Sequence, residues 1–286
     1  MGSVAIITDT DASLPLEIVG ALGIRLVPIN VHFGEETFRS GVDINDAMLF
    51  ARVDRDGTMP TTSAPSPGEF AKAYEAAFQD GHDAVVCICV SSVVSGTYNA
   101  AVTARGMFPD RTIHVVDSRN ISMGQGFMTI AAAEAASQGA DVESIVARAQ
   151  EVGRRTSLYA ALDTLHYLAL SGRVGHLAAG MASVLKIKPV LTMDREGKLD
   201  LLEKVRTRKK AWARVVDLIV GSLGDAAVER AAILHVDALD QAYKFGEQLR
   251  AALNDPVELI YADFGPGLSV HTGPGMVGAV VVAAAS

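Results

Sequence analysis

Short apolar runs rich in Val and Ile, at residues 4–8, 25–33, 84–90 and 112–117, alternate through the first half of the chain with stretches whose apolar side chains recur at helical spacing. Runs of that length predict buried strands, and their alternation with helices predicts a mostly parallel sheet covered on both faces. One helix start is legible residue by residue. Ser66-Pro67-Gly68-Glu69 combines an N-cap serine, a proline at the first helical position and a glutamate placed to close a capping box, and Phe70, Ala73, Tyr74 and Ala77 continue the stripe. Between 34 and 57 the pattern turns polar and charged, punctuated by Gly41 and Gly57, and predicts a small excursion from the sheet.

From about Thr156 the pattern changes. Two helical segments flank Ser171-Gly172-Arg173, and residues 189–192 and 198–205 predict a hairpin across Arg195-Glu196-Gly197. Helices at 208–220 and 239–253, with strands at 231–236, 257–263 and 277–282, complete a second unit. The expectation is an α/β fold of two domains: residues 1–155, with a mostly parallel sheet flanked by helices and the excursion at 34–57, and residues 156–286, a smaller C-terminal α/β domain. A chain of 286 residues has room for two cores.

Composition narrows the setting. The hydrophobic fraction of 49% and mean hydropathy of +0.26 lie at the apolar end for a soluble protein. No apolar stretch approaches the roughly 20 residues that span a bilayer, so the longest, 276–285, reads as a buried strand. Met1-Gly2-Ser3-Val4 lacks the basic segment of a signal peptide, and a cytoplasmic protein without a transmembrane segment is expected. The net charge of -8 argues against a general nucleic-acid binder. Cys87 and Cys89, two apart on a predicted strand, share a face and read as reduced core residues. The histidines are scattered without metal-ligand spacing, so no metal site is expected.

Four segments carry candidate chemistry. Ser91-Ser92-Val93-Val94-Ser95-Gly96-Thr97-Tyr98 follows a buried strand and opens a helix, where unpaired amides and hydroxyls suit a carboxylate or phosphate; the plainer alternative is that Ser92 or Ser95 caps the helix. Residues 60–67, with three prolines, read as a stiff, hydroxyl-rich loop that either holds Thr62 toward a ligand or simply links two elements. His271 precedes the turn Thr272-Gly273-Pro274-Gly275 and joins a site only if the fold brings it near Ser95 and Thr62. Lys204-Val205-Arg206-Thr207-Arg208-Lys209-Lys210 loads the first turn of a helix with cations, the wrong sign for its dipole, which suits docking of an anion or an acidic partner; the alternative is a solvated face. Arg173 is a similar candidate anchor.

Asp9-Thr10-Asp11 after a strand has the look of an aspartyl-phosphate phosphatase, chemistry that needs a nucleophilic carboxylate, a second acid two residues on, Mg²⁺ and a later acidic pair. Asp237 and Asp240 are the nearest such pair. There is no Walker A loop, no strand-linked G-x-G-x-x-G and no G-x-S-x-G elbow.

Taken in order along the chain, several of these segments resemble the DegV family of fatty-acid-binding proteins, the lipid subunit of bacterial fatty acid kinase. The resemblance runs from Asp9 and Leu14-Pro15 through 62–70, 91–98, Val116-Asp117-Ser118 and Ser122-Met123-Gly124. It continues through Leu162-Asp163-Thr164-Leu165, Gly172-Arg173-Val174-Gly175, Lys186-Ile187-Lys188-Pro189 and 205–211 to His271-Thr272-Gly273-Pro274-Gly275. It implies an acyl chain in a buried tunnel, with its carboxylate hydrogen-bonded by Thr62 and Ser95 and assisted by His271. It also implies that Arg173, Arg206 and Arg208 face an ATP-dependent partner kinase or the phosphate being transferred. The chain would then be a presenting subunit without catalysis of its own, with a long-chain fatty acid as ligand, no cofactor, and acyl phosphate as the product. Ala64 departs from the family's usual glutamine, and Asp11 and Ser13 replace its usual threonine and aspartate. Two other readings stay open: a stand-alone metal-dependent phosphatase or hydrolase using Asp9 and Asp11, and a regulatory binding module using the basic 204–210 segment.

Overall fold

The computed structural model describes residues 2–172, 187–253 and 258–285. The chain opens with β1 (Val4–Asp9), α1 (Leu16–Ala21), β2 (Arg25–Val27), β3 (Asn30–Phe33), β4 (Glu36–Arg39), α2 (Asp46–Asp56) and β5 (Thr61–Ser63). It continues with α3 (Pro67–Gln79), β6 (Ala84–Cys89), α4 (Thr97–Arg105), β7 (Thr112–Asp117), α5 (Met123–Ser137) and α6 (Val142–Arg155). Then come β8 (Thr156–Ala161), α7 (His166–Ser171), β9 (Lys188–Met193), β10 (Leu199–Val205), α8 (Arg208–Leu223) and β11 (Val228–His235). The last elements are α9 (Leu239–Leu253), β12 (Leu259–Asp263), α10 (Pro266–Thr272) and β13 (Val277–Ala283).

The first sheet has the order β2-β1-β6-β7 and every pairing in it is parallel. Its central strand β6 is buried at every residue, as a strand covered on both faces requires. Ile7, Val85, Cys87 and Cys89 pack against Phe70 and Tyr74 of α3 and Ala101 of α4. Ile6, Val86 and Ile88 pack on the other side with Phe127 of α5 and Ile145 of α6. Both cysteines are free and buried on one face, as their spacing predicts. The capping box at Ser66 is formed, with the Ser66 hydroxyl accepting from the Glu69 amide and the Glu69 carboxylate accepting from the Ser66 amide.

The run 25–33, expected as one strand, is two. Pro28 has no amide to donate and stops β2, and β3 leaves to form a separate antiparallel sheet of order β4-β3-β5. The stretch 60–67, expected as a loop, therefore contributes a strand, and the excursion at 34–57 is the rest of this small sheet together with α2.

The second sheet, β10-β9-β8-β13-β11-β12, is built wholly from residues after 155 and is antiparallel except for β11 with β12. Trp212 of α8 and Phe245 of α9 cover one face with their rings 5.8 Å apart. The opposite face, carrying Leu158, Ala160, Leu191 and Val280, belongs to the same apolar cluster as α5 and the first sheet. Residues Met123 to Ala133 of α5 are buried all round, because this helix is packed by both sheets. The expected hairpin is present, and its turn docks on the first sheet: Ser91 Oγ donates to the Gly197 carbonyl at 2.6 Å. Gly197 has φ 83° there, and a Cβ would collide with the Ser91 hydroxyl.

Candidate functional site

A cavity of about 960 Å³, part of it open at the mouth, lies where the carboxyl ends of the parallel strands face the second sheet. This is the place where open α/β sheets bind ligands. Its long wall is apolar. Leu158, Ala160 and Leu162 alternate along and just beyond β8, Leu191 and Met193 come from β9, and Leu268 and Met276 close it from the far side. The period of two that aims 158, 160 and 162 inward sends Tyr159 and Ala161 to the α8–α9 side.

One end is polar, and three elements meet there. Pairing of Thr62 with Val31 in the small sheet fixes Thr62, whose hydroxyl lies 3.1 Å from His271 Nε2. The sequence reading places His271 ahead of a turn. In the structure it occupies the last turn of α10, a helix opened by Pro266 at its first turn and closed by Gly273 at φ 76°, where a Cβ would strike the Tyr167 ring. Pro266 just after a glycine was the available signal. Ser95 reaches the same cavity from the loop after β6. That loop is pinned by Asp117, which accepts from the Ser92 amide at 3.1 Å and the Ser92 hydroxyl at 2.5 Å, while the Ser95 amide donates to Ser91 O at 3.1 Å. Ser95 Oγ lies 2.8 Å from Thr97 Oγ1 and accepts weakly from the Thr97 amide, so it helps start α4 and still lines the cavity. Two hydroxyls and an imidazole thus line one cavity, without a lysine or arginine among its described lining residues. Such a set is able to orient an anion by hydrogen bonds.

The three polar groups were candidates from the sequence, whereas the apolar wall was not, because Leu158, Ala160, Leu162, Leu191, Met193 and Leu199 meet the first sheet only in the folded chain. Nor was Asp11 a candidate lining residue.

Asp9 is fully buried, and its carboxylate accepts from the amides of Asp11 and Val90 and from the Gln125 side chain, at 3.0, 2.9 and 3.0 Å. Burial pushes its pKa up to about 6 against the pull of those hydrogen bonds. A carboxylate enclosed and occupied in this way is not free to attack a phosphate ester, so Asp9 acts as a structural brace.

Of the basic candidates, Arg208 lies beside the 271–275 turn. Arg208 pairs with Asp163, which also holds Lys188 at 3.0 Å, and a Cβ at Gly275 would touch Asp163 and approach Arg208. Arg206 is exposed. Thr207 caps α8 by accepting from the Lys210 amide at 3.3 Å. Arg173 lies outside the described residues.

The family model described as "Uncharacterised protein, DegV family" matches residues 3–284. The chain belongs to the DegV family. A DegV domain-containing protein of Halalkalibacterium halodurans is 34% identical over 278 residues, covering 97% of this chain and 98% of the relative. Two solved DegV structures share the fold. The Thermus thermophilus protein, described as a fatty-acid-binding DegV family protein, superposes with a TM-score of 0.90 at 31% identity, covering 99% of this chain and 100% of the other. DegV of Bacillus subtilis, described as a fatty acid binding protein, gives 0.89 at 32% identity with the same coverage. The DegV fold, a parallel sheet flanked by helices with a further sheet, is therefore the fold of this chain. Among its described residues, no helix is long and apolar enough to cross a membrane.

Proposed function

We propose that this chain binds one long-chain fatty acid in the cavity between residues 1–155 and 156–286, taken as two domains. The carboxylate is held by Thr62, Ser95 and His271 and presented in the cytosol to an ATP-dependent partner kinase. The observation that carries the lipid part is the shape of the cavity's chemistry: a long apolar wall ending on two hydroxyls and an imidazole. Fatty-acid binding by the Thermus and Bacillus relatives supports it. At roughly 0.8 kcal/mol per buried methylene, the acyl chain supplies most of the affinity, and the head-group hydrogen bonds, about 1 kcal/mol each, set its direction.

A carboxylate held by hydrogen bonds rather than by a lysine or arginine ion pair keeps its nucleophilic oxygen. In the proposed step that oxygen attacks the γ-phosphorus of ATP brought by the partner, a new O–P bond forms, the bond to the β-phosphate bridge breaks and ADP leaves. The acyl phosphate stays on this chain. Arg208, beside the Gly275 turn, and exposed Arg206, with Arg173, form the face assigned to the kinase or the phosphate. The chain itself then needs no catalysis of its own and no cofactor. The basic 204–210 segment as a regulatory docking surface remains a second reading, since Arg206 is exposed.

Native mass spectrometry of the purified protein, followed by denaturing extraction, tests the lipid part. One co-purified fatty acid at near-unit occupancy is expected, and an empty protein that also refuses added fatty acid would sink the reading. Ser95→Ala should keep the fold, weaken fatty-acid binding about fivefold through loss of one hydrogen bond of about 1 kcal/mol, and slow phosphorylation of bound lipid by the partner kinase. Unchanged binding and turnover would remove Ser95 from the site.

A further inference from the structure

The wall of the cavity contains a carboxyl that an unmodified acyl chain does not explain. Asp11 lines it, is 6% exposed, and its carboxyl makes no hydrogen bond or ion pair among the described residues. Its backbone is fully engaged: the amide donates to Asp9 Oδ1 at 3.0 Å and the carbonyl accepts from the Ser122 amide at 2.8 Å. The side chain is free to serve the cavity alone. It packs against Gly267 and Ile29, so closely that a Cβ on Gly267 would collide with Asp11 Oδ1.

Gly267 fixes where along the ligand this carboxyl acts. Gly267 and His271 are four residues apart on α10 and share one helix face, about 6 Å along the axis. Gly267 is at the buried start of the helix and His271 at its partly exposed end. A ligand whose carboxylate sits at His271 therefore passes Asp11 roughly one helical turn deeper, in the carboxylate-proximal part of its chain. Methylene groups there would leave a buried carboxyl unsatisfied, which disfavours a plain acyl chain. A hydroxyl there would satisfy it, and a site built around a hydrogen bond to a ligand hydroxyl rejects the analogue that lacks it.

We infer that the preferred ligand is a hydroxy fatty acid, with its hydroxyl near the carboxylate end and hydrogen-bonded to Asp11. The inference rests on the fatty-acid reading of the cavity and names the ligand class within it. Burial, reinforced by the neighbouring Asp9 carboxyl, holds the Asp11 carboxyl well above the ordinary carboxylate range. The protonated form is favoured by that shift, and in it the group can both donate to and accept from an alcohol.

The test measures affinities of the full-length protein, stripped of lipid, for palmitate, for a hydroxypalmitate with the hydroxyl near the carboxylate, and for one hydroxylated at the methyl end. The proximal hydroxy acid should bind about tenfold more tightly than palmitate, and the methyl-end isomer should show no such gain. Asp11→Val should abolish the preference by strengthening palmitate binding, whereas Asp11→Asn, which still donates and accepts, should retain it. Equal binding of palmitate and the proximal hydroxy acid by the native protein overturns the inference while leaving the fatty-acid reading standing, and so does a preference that survives in Asp11→Val. Refusal of all three acids overturns the fatty-acid reading and this inference with it. The ranking by the native protein decides the matter even if Asp11→Val does not fold.

Discussion

Replacing Ala160 by phenylalanine should empty the cavity while leaving the fold standing. Ala160 points from β8 into the cavity, and its cross-strand neighbour on β13 is Gly278, which carries no side chain. A phenyl group at 160 is therefore directed into space the ligand would use. Overpacking a filled core costs about 1–3 kcal/mol, and a ring that enters a cavity belongs at the low end of that range. The ligand loses more. Excluding about four methylenes at roughly 0.8 kcal/mol each removes about 3 kcal/mol, on the order of a two-hundredfold loss of affinity. Native mass spectrometry should show the variant without lipid, and thermal unfolding should show it still cooperative. Full occupancy in a folded Ala160→Phe protein would mean that the acyl chain does not run along β8.

Asp46→Asn should stabilise the protein at pH 8 by on the order of 4 kcal/mol, and at pH 5 by less than half of that. Asp46 is the first residue of α2, is 5% exposed and accepts from the Gly265 amide at 3.3 Å, tying α2 to the start of the helix that carries His271. A carboxylate at a helix N-terminus is normally favoured, but burial dominates, and the charges of Asp263 and Asp237 add to it, pushing the pKa up to about 7. The folded pKa is raised above the unfolded one, so the contribution to stability is fully present below the unfolded value of 3.8 and is lost as pH rises through 7. Between pH 5 and 7 the loss is about 1.4 kcal/mol per pH unit. Asp9, raised to about 6, adds a loss of the same sign. His235, whose pKa burial lowers, acts oppositely, its contribution fading as pH falls. Unfolding curves of both proteins at pH 5, 6.5 and 8 separate these effects, since only the Asp46 contribution vanishes in the variant. Parallel pH profiles would show that Asp46 ionises normally in the folded protein.

Both residues illustrate how far the sequence could be read. Ala160 sits in a strand whose existence was not assigned in advance, and nothing local marks it as a cavity wall. Asp46 lies in the polar stretch 34–57, which looks solvent-facing until α10 is packed over it. The elements that were legible have causes within a few residues: the proline and glutamate after Ser66, the turn at Arg195-Glu196-Gly197, and the unbroken apolar run of β6. The ordered set of polar segments at 62, 95 and 271 was legible too, as a resemblance, though not as a geometry.

What the sequence by itself determined was the alternation of strands and helices, the parallel character of the first sheet, and the residue types available to hold a carboxylate. The tertiary structure alone decided that Pro28 sends β3 into a separate sheet with Thr62 on its edge strand, and that His271 rides on a helix 3.1 Å from that threonine. It alone decided that the second sheet turns the 158, 160 and 191 side chains toward the first and that Asp11 looks into the space between. Propensities, caps and turns act over a few residues and leave their mark in the local pattern. A cavity is made by residues far apart in the chain, and its shape depends on how two sheets pack around one fully buried helix.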